Sequence, residues 1–191
     1  MKARPRALFL DRDGVINIDH GYVYRPDQFE FVDGVFELCR KAVSLDYLVF
    51  VVTNQAGIGR GYFTEKQFHE LTDWMCQAFL AQGVKIERVY FCPYHPEHGV
   101  GTYKRESACR KPGPGMILQA ARDYGLDLAA SVLVGDKETD IAAGLAAGVG
   151  CNVLYCPGGN AQIPSNAFLT DSLPEIVNRL AGGYPKNSRG A

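Results

Sequence analysis

Short apolar runs alternate with helical patterns along the whole chain of 191 residues, and this alternation is what most restricts its fold. The apolar runs are continuous, as expected of strands covered on both faces, and predict strands at 7–10, 48–52, 89–91, 131–134 and 152–155. The helical patterns predict helices at 34–45, 64–82, 116–124, 139–147 and 173–180. Elements in this order predict an α/β fold built on a doubly wound, Rossmann-like parallel sheet.

The composition is that of an ordinary globular chain, with 47% hydrophobic residues and a formal net charge of -1. A charge so close to zero gives no indication of a nucleic acid or an anionic membrane as partner. No apolar run approaches the roughly 20 residues that span a bilayer, and the apolar stretch behind the basic N-terminus is too short for a signal peptide. We therefore expect a cytoplasmic monomer, with one domain over residues 1–181 and a disordered tail over 182–191.

The first predicted strand runs directly into Asp11-Arg-Asp13-Gly14. Ligands of doubly wound sheets bind beyond the carboxyl ends of the strands, so this is a position where chemistry is expected. Mg²⁺ favours carboxylate oxygens together with the oxygens of a substrate phosphate. Asp11 could then attack phosphorus, while Asp13 protonates the leaving oxygen and later activates water. Taken alone, the same pair could equally hold a structural ion or be solvated.

Polar groups also follow the second predicted strand, in the segment Thr53-Asn54-Gln55-Ala56-Gly57. A hydroxyl followed by backbone N–H groups and a glycine is suited to cradle phosphate oxygens. A polar strand end with a simple turn explains the same residues, so this segment gains meaning only from its neighbours.

Charged residues complete the pattern further along the chain. Lys111 is predicted at the N-terminus of a helix, where its charge opposes the helix dipole unless an anion binds beside it. The fourth strand runs into Asp136, which could complete the oxygen shell of an ion. Asp140 could hold Lys111 or a metal-bound water, or it could cap the following helix.

These groups resemble the four motifs of the haloacid dehalogenase superfamily of phosphatases. They occur in the same order along the chain: the carboxylate pair, the hydroxyl, the lysine and the acidic pair. Within that superfamily, the chain is similar to the branch of heptose-bisphosphate phosphatases and histidinol-phosphatases over nearly all of residues 4–180. The resemblance rests on the segments Phe9-Leu-Asp-Arg-Asp-Gly14, Asp19-His-Gly-Tyr22, Val51-Val-Thr-Asn-Gln55, Cys92-Pro93, Cys109-Arg-Lys-Pro112 and Val134-Gly-Asp-Lys137. Because no bulky segment separates Gly14 from the second strand, we expect no large cap domain.

The resemblance implies a Mg²⁺-dependent hydrolase that forms an aspartyl-phosphate. It would remove the 7-phosphate of a heptose 1,7-bisphosphate, as a step in nucleotide-activated heptose synthesis. Asp11 would be the nucleophile and Asp13 the general acid and base. Thr53 and Lys111 would hold the transferred phosphoryl group. The Mg²⁺ ligands would be Asp11, the backbone carbonyl of Asp13, and Asp136.

The same resemblance implies a substrate site for a sugar bisphosphate, in which Arg110 would read the second, non-reacting phosphate. The implied substrate-binding residues are Asp19, His20, Gly21, Tyr22, Asn54, Gln55, Ala56, Arg110 and Lys137. Two other functions remain open: a histidinol-phosphatase or broad-specificity small-molecule phosphatase, and a module that binds a phosphorylated ligand without catalysis. The intact carboxylate pair disfavours the non-catalytic module, because binding alone does not require both aspartates.

The chain departs from the branch in the loop after the third strand, where the resemblance implies a structural zinc held by Cys-x-His and Cys-x-Cys segments. Tyr94 and Ser107 occupy two of those four positions. Since structural zinc sites are almost always four-coordinate, we expect this loop to have lost its metal and to pack by hydrogen bonds. The alternative is a degraded, rearranged site made of Cys92, either His95 or His98, and Cys109.

Overall fold

The computed structural model describes residues 3–159 and 167–182. The strands in these ranges are β1 (Arg6–Leu10), β2 (Tyr47–Asn54), β3 (Ile86–Cys92), β4 (Val132–Gly135), β5 (Cys151–Tyr155) and β6 (Phe168–Thr170). The α-helices are α1 (Val35–Ser44), α2 (Ala56–Gly59), α3 (Glu65–Ala81), α4 (Gly115–Tyr124), α5 (Glu138–Ala147) and α6 (Leu173–Gly182). All the predicted elements are present, and the structure adds α2 and β6.

The strands form one parallel sheet in the order β3-β2-β1-β4-β5-β6. The chain moves outward from β1 to β3 and then returns to the other side of β1 to form β4. The strand order therefore reverses between β1 and β4, and the crevice at the carboxyl ends of these two strands is the expected ligand site. The predicted α/β fold with a doubly wound parallel sheet is confirmed.

Two apolar layers cover the sheet, one on each face. Leu8 and Leu10 point into a core that includes residues of α1, α3 and α6. Ala7 and Phe9 point to the opposite face, against α4 and α5. Burial on both faces explains why the strands are continuous apolar runs. Each large apolar side chain that is fully buried contributes about 1.5–3 kcal/mol, so the strand ends that carry the polar residues are held by a stable frame.

The segments beyond the strand ends contain little regular structure. Residues 11–34 include one short 3₁₀ turn, Pro26–Gln28, and residues 93–114 include another, Gly101–Tyr103. Between β1 and β2 the described chain contains no insertion of the size of a cap domain. No described helix is both long enough and apolar enough to cross a bilayer. The predicted tail, apart from Gly182, lies outside the described residues.

The prediction that Lys111 lies at a helix N-terminus is wrong. Helix α4 begins at Gly115, and Lys111 lies in the loop that precedes it. Proline disfavours helical geometry at the residue before it, and both Lys111 and Gly113 are followed by proline. The position of the Lys111 charge must therefore be explained by its contacts and not by a helix dipole.

Candidate active site

A buried ion cluster lies at the carboxyl ends of β1 and β4. Nζ of Lys111 is 2.9 Å from Oδ1 of Asp11 and 2.5 Å from Oδ1 of Asp140, and it donates to the carbonyl oxygen of Val52 at 2.9 Å. These contacts use all three donors of the amine. Lys111 is only 3% exposed, so its amine is fixed in one place by two carboxylates and a strand carbonyl.

Asp11 offers one anchored oxygen and one free oxygen. Its Oδ1 accepts from the backbone N–H of Arg12 at 2.7 Å and from Lys111. Among the described residues, Oδ2 has no hydrogen-bond partner, and Asp11 lines an open cavity. Burial raises the pKa of Asp11, and the charge of Lys111 opposes this shift. An oriented carboxylate with one unoccupied oxygen is suited to act as a nucleophile.

Asp140 fixes Lys111 and the start of α5 together. Its Oδ1 contacts the amine of Lys111, and its Oδ2 accepts from the backbone N–H of Lys137 at 3.0 Å. Both of the roles that the sequence left open, ion pair and helix cap, are therefore present in one side chain. Burial of the Lys111 amine lowers its pKa, but Asp11 and Asp140 outweigh this and raise it overall. Lys111 is a permanent cation at neutral pH.

Asp136 carries a buried oxygen that lacks a partner. Its Oδ1 makes no hydrogen bond, while Oδ2 lies 3.4 Å from Nζ of Lys137. Burial, and then the charge of Asp11, raise the pKa of Asp136 to about 7. Carboxylate oxygens of Asp11, Asp136 and Asp140 lie within 4.8 Å of one another. This set of oxygen donors fits Mg²⁺, because a hard cation would satisfy the unpaired oxygen and offset the crowded negative charge.

Asp13 is held from several sides. The guanidinium of Arg12 contacts both of its oxygens at 2.9–3.2 Å, and Asn17 donates to Oδ1 at 3.1 Å. Gln55 Nε2 donates to Asp13 Oδ2 and to Thr53 Oγ1, both at 2.9 Å. The amide of Gln55 therefore links the carboxylate after β1 to the hydroxyl of β2. Arg12 is 1% exposed, and no sequence pattern distinguishes it from a surface arginine.

The cavity beside this cluster has a volume of about 410 Å³. It is lined by the predicted catalytic residues Asp11, Asp13, Thr53 and Lys111. Its wall also includes most of the predicted substrate-binding residues, namely Asp19, Gly21, Tyr22, Asn54, Gln55, Ala56, Arg110 and Lys137. The structure thus brings together residues that are more than a hundred positions apart in the sequence.

Two predicted substrate-binding residues, His20 and Asn54, form hydrogen bonds or close polar contacts with other parts of the protein. His20 does not line the cavity, and its Nε2 lies 3.3 Å from the Glu30 carboxylate. Asn54 accepts from the backbone N–H of Lys111 at 3.0 Å and donates to its carbonyl at 3.1 Å. Both ends of the Asn54 amide are therefore used to hold the lysine loop.

Three cavity residues are absent from the predicted catalytic and substrate-binding residues: Gly57, Arg60 and Thr139. Gly57 belongs to the predicted cradle segment, and Thr139 follows the acidic pair, so both could have been found from the motifs. Arg60 lies one residue beyond α2, a helix too short to produce a periodic pattern.

The loop expected to have lost its zinc brings two thiols together but does not collect four ligands. A hydrogen bond from Cys92 to Cys109 lowers the pKa of Cys109 to about 6. Nδ1 of His95 accepts instead from the backbone N–H groups of Glu97 and His98, at 3.2 and 3.1 Å. Within the described ranges, Asp11, Asp136 and Asp140 form the only cluster of potential metal ligands. The donors in the loop do not fit a four-coordinate structural zinc.

Comparisons with known proteins agree with this geometry. A family model described as HAD-hydrolase-like matches residues 108–162. The D-glycero-alpha-D-manno-heptose-1,7-bisphosphate 7-phosphatase of Burkholderia mallei is 59% identical over 181 residues, covering 94% of this chain and 96% of that protein. The D-glycero-beta-D-manno-heptose-1,7-bisphosphate 7-phosphatase of Yersinia pestis is 49% identical, covering 93% of this chain and 96% of that protein.

A solved structure is similar over the same extent. The D,D-heptose 1,7-bisphosphate phosphatase from B. bronchiseptica, complexed with magnesium and phosphate, aligns with a TM-score of 0.80 and 30% identity. The alignment covers 93% of this chain and 98% of that one. The chain is thus similar to these phosphatases in both sequence and fold along nearly its whole length. The chain belongs to the haloacid dehalogenase-like phosphatase family, in the branch of the D-glycero-D-manno-heptose-1,7-bisphosphate 7-phosphatases.

Proposed function

We propose that this protein is a Mg²⁺-dependent phosphatase that removes the 7-phosphate of D-glycero-D-manno-heptose 1,7-bisphosphate, for nucleotide-activated heptose synthesis. The observation that carries the proposal is the free Oδ2 of Asp11, which lies in a cavity beside a buried lysine and the unpaired oxygen of Asp136. Relatives named for this activity match the chain over more than nine-tenths of its length. Their substrate is therefore the first to test.

The first half of the reaction transfers the phosphoryl group to the enzyme. Asp11, the carbonyl of Asp13, and Asp136 would hold Mg²⁺, which supplies the positive charge that lets a carboxylate approach a phosphate dianion. Asp11 Oδ2 forms the new bond to phosphorus as the bond to the sugar oxygen breaks. Asp13 gives a proton to that leaving oxygen. Thr53 would bind a phosphoryl oxygen through its hydroxyl, and the positive charge of Lys111 would stabilise the phosphoryl group.

The second half restores the enzyme. Asp13, now a carboxylate, takes a proton from a water molecule, and the water oxygen attacks the phosphorus of the aspartyl-phosphate. The bond between Asp11 and phosphorus breaks, which regenerates the Asp11 carboxylate and releases inorganic phosphate. Throughout, Lys111 keeps its charge because Asp11 and Asp140 raise its pKa against the opposing effect of burial. The cation that balances the phosphoryl group is therefore present in both halves.

A phosphate-release assay tests the proposal. Substrates are the α and β anomers of the heptose 1,7-bisphosphate, and histidinol phosphate. We expect the highest kcat/KM with one of the two bisphosphate anomers, complete loss of activity in EDTA, and recovery on addition of Mg²⁺. Full activity in EDTA would refute the mechanism. A higher kcat/KM with histidinol phosphate would overturn the substrate, and no turnover of any phosphate ester would indicate a binding module.

Mg²⁺ affinity is expected to fall as the pH falls through about 7. Metal ligands must be deprotonated, and burial followed by the Asp11 charge raises the pKa of Asp136 to about 7. The deprotonated fraction of such a group drops about tenfold between pH 8 and pH 6, so the association constant should drop by a similar factor. Titration calorimetry with MgCl₂ at the two pH values measures this. Equal affinity at both would contradict the assignment of Asp136 as a ligand.

Gly14→Ala is expected to weaken Mg²⁺ binding at least about tenfold, the size of effect seen when the support of a metal ligand is lost. Gly14 has a φ of +97°, and a Cβ at this position would lie 2.2 Å from Oδ2 of Asp136. The added methyl group must displace that carboxylate. Titration calorimetry measures the affinity.

Gly61→Ala is the matched control for Gly14→Ala. Gly61 has a φ of +77°, and a Cβ there would meet nothing within 4 Å. This variant should lose about 1–2 kcal/mol of stability from backbone strain and keep its Mg²⁺ affinity. If both variants bind Mg²⁺ like the unmodified protein, Asp136 does not hold the ion.

We also propose that the protein acts as a cytoplasmic monomer whose single domain spans residues 1–181. All six described strands belong to one sheet, which supports a single domain, and a net charge close to zero gives no attraction to an anionic membrane. Light scattering after size exclusion measures the mass directly. A mass of about twice 21.0 kDa would replace the monomer with a dimer.

A further inference from the structure

Arg60 lines the cavity and carries a hydrogen-bond donor that no described residue uses. It lies one residue beyond α2, where its backbone N–H donates to the Ala56 carbonyl at 2.9 Å. Its side-chain Nε is buried and has no hydrogen-bond partner. The guanidinium carbon lies 6.0 Å from the centre of the Tyr22 ring, and this contact supplies no acceptor for the Nε–H group. Buried donors without a partner are rare and unfavourable, so a missing acceptor is indicated.

The cationic side chains that line the cavity fall into two groups. Lys111 is paired with Asp11 and Asp140, and Lys137 lies 3.3 Å from Asp19 and 3.4 Å from Asp136. Within the described part of the chain, Arg60 and Arg110 form no ion pair, and Arg110 makes only a long 3.4 Å hydrogen bond, to the Tyr94 carbonyl. The uncompensated positive charge of the cavity therefore resides on these two arginines.

The two arginines face the same loop. Both arginines line the same cavity, and both lower the pKa of His95, in addition to the larger effect of burial. Like charges placed together are unfavourable, and a bound anion removes that cost. Arg60 and Arg110 come from segments fifty residues apart, and their proximity results only from the folding of the chain.

The backbone fixes Arg60 with respect to this loop. A Cβ on Gly59 would lie 2.4 Å from the carbonyl oxygen of Pro93, so α2 packs directly against the loop backbone. Val100 N–H also donates to the Gly59 carbonyl at 2.8 Å. The same loop supplies the Tyr94 carbonyl that contacts Arg110. The backbone next to Arg60 therefore packs against the loop that contains Arg110.

We propose that Arg60, together with Arg110, binds the second, non-transferred phosphate of the substrate and is a specificity-determining residue for bisphosphates. This inference rests on the proposed function. A terminal phosphate carries three acceptor oxygens and about two negative charges at neutral pH, which match two guanidinium groups. The paired Lys111 remains available for the transferred phosphate. Arg60 thus distinguishes a bisphosphate from a monophosphate, and it takes no part in bond breaking.

The test compares Arg60→Gln and Arg60→Lys with the unmodified enzyme. The kcat/KM is measured on the heptose 1,7-bisphosphate and on the heptose 7-phosphate, which lacks the second phosphate. We expect the ratio of the two efficiencies to fall at least about tenfold in Arg60→Gln, as for a charged hydrogen bond, with the loss mainly in KM. Arg60→Lys keeps the positive charge but lacks the planar guanidinium group. Its ratio of efficiencies should lie between those of Arg60→Gln and the unmodified enzyme.

Arg105→Gln is the matched control, because Arg105 is exposed and stacks 3.8 Å from the Tyr94 ring centre on the same loop without lining the cavity. This variant should keep the unmodified ratio. An equal loss on both substrates in Arg60→Gln, or no loss on either, would overturn the inference. Thermal unfolding of each variant identifies any general loss of fold. If the unmodified enzyme itself shows no preference for the bisphosphate, the proposed function fails, which is a different outcome from an unchanged ratio in the variant.

Discussion

Asp11→Asn is expected to lose about 10⁵-fold or more of its phosphatase activity while it keeps its fold. The neutral amide cannot form the bond to phosphorus that the free Oδ2 of Asp11 is placed to form. Folding should be little affected, because burial already raises the pKa of Asp11 and so disfavours its charged form. Lys111 also retains Asp140 and the Val52 carbonyl as partners. Single-turnover phosphate release and thermal unfolding measure the two effects.

The control for this variant is Asp27→Asn. Asp27 is exposed and pairs with Arg25 on the surface, so the same change of carboxylate to amide should leave activity intact. If Asp11→Asn keeps more than about a hundredth of the activity, water and not Asp11 attacks phosphorus, and the aspartyl-phosphate must be abandoned.

Lys111→Met is expected to lower the free energy of unfolding by about 3–5 kcal/mol and to remove nearly all activity. The substitution leaves Asp11 and Asp140 facing each other without the cation that both contact. The pKa of Lys111 is raised in the folded state, so the amine stays charged at all pH values below its ordinary pKa. Urea denaturation at pH 7 measures the loss.

Lys66→Met is the comparison variant, because Lys66 is a solvent-exposed lysine. Its side chain is 85% exposed, and its pair with Glu70 is worth only about 0.3–0.5 kcal/mol. The deficit of Lys111→Met should also shrink as the pH falls, because burial raises the pKa of Asp11, which then takes up a proton and no longer needs a cation. A loss below about 1 kcal/mol for Lys111→Met would show that the buried cluster does not hold the strand ends together.

Most of the fold could be predicted because its signals are local. The runs 7–10 and 152–155 differ by one residue from β1 (Arg6–Leu10) and β5 (Cys151–Tyr155), since strands buried on both faces are apolar throughout. The two elements that were missed are short. Helix α2 (Ala56–Gly59) is about one turn long, and β6 (Phe168–Thr170) has three residues. Neither is long enough to show a periodic pattern of apolar residues.

The candidate site could be predicted because the topology of a parallel sheet brings the carboxyl ends of its strands to one edge. Asp11, Thr53 and Asp136 each lie at the carboxyl end of a parallel strand or just after it, so their convergence follows from the fold. Lys111 lies in the same region, but the helix N-terminus expected there is absent, since the prolines after it delay the helix. The lysine is held instead by carboxylates from distant segments, which no local pattern reveals.

Contacts between distant polar residues could not be predicted from the sequence. His20 was expected to face the substrate, but Glu30 is brought beside it when Ile18 N–H bonds to the Glu30 carbonyl at 2.8 Å. Arg60 belongs to no motif, and its significance comes from an unpaired donor and a neighbouring arginine. Such features are properties of the folded surface, so they appear only when the chain is assembled.

The most direct test of the central claim, that Asp11 and Asp136 share one cation beside Lys111, is a crystal structure with Mg²⁺ and beryllium fluoride, which mimics a phosphoryl group on a carboxylate. We predict a trifluoroberyllate bonded to Oδ2 of Asp11, in contact with Lys111, and a Mg²⁺ at about 2.0–2.1 Å from oxygens of Asp11 and Asp136. A beryllium adduct on another residue, or a Mg²⁺ that does not contact Asp136, would contradict the account.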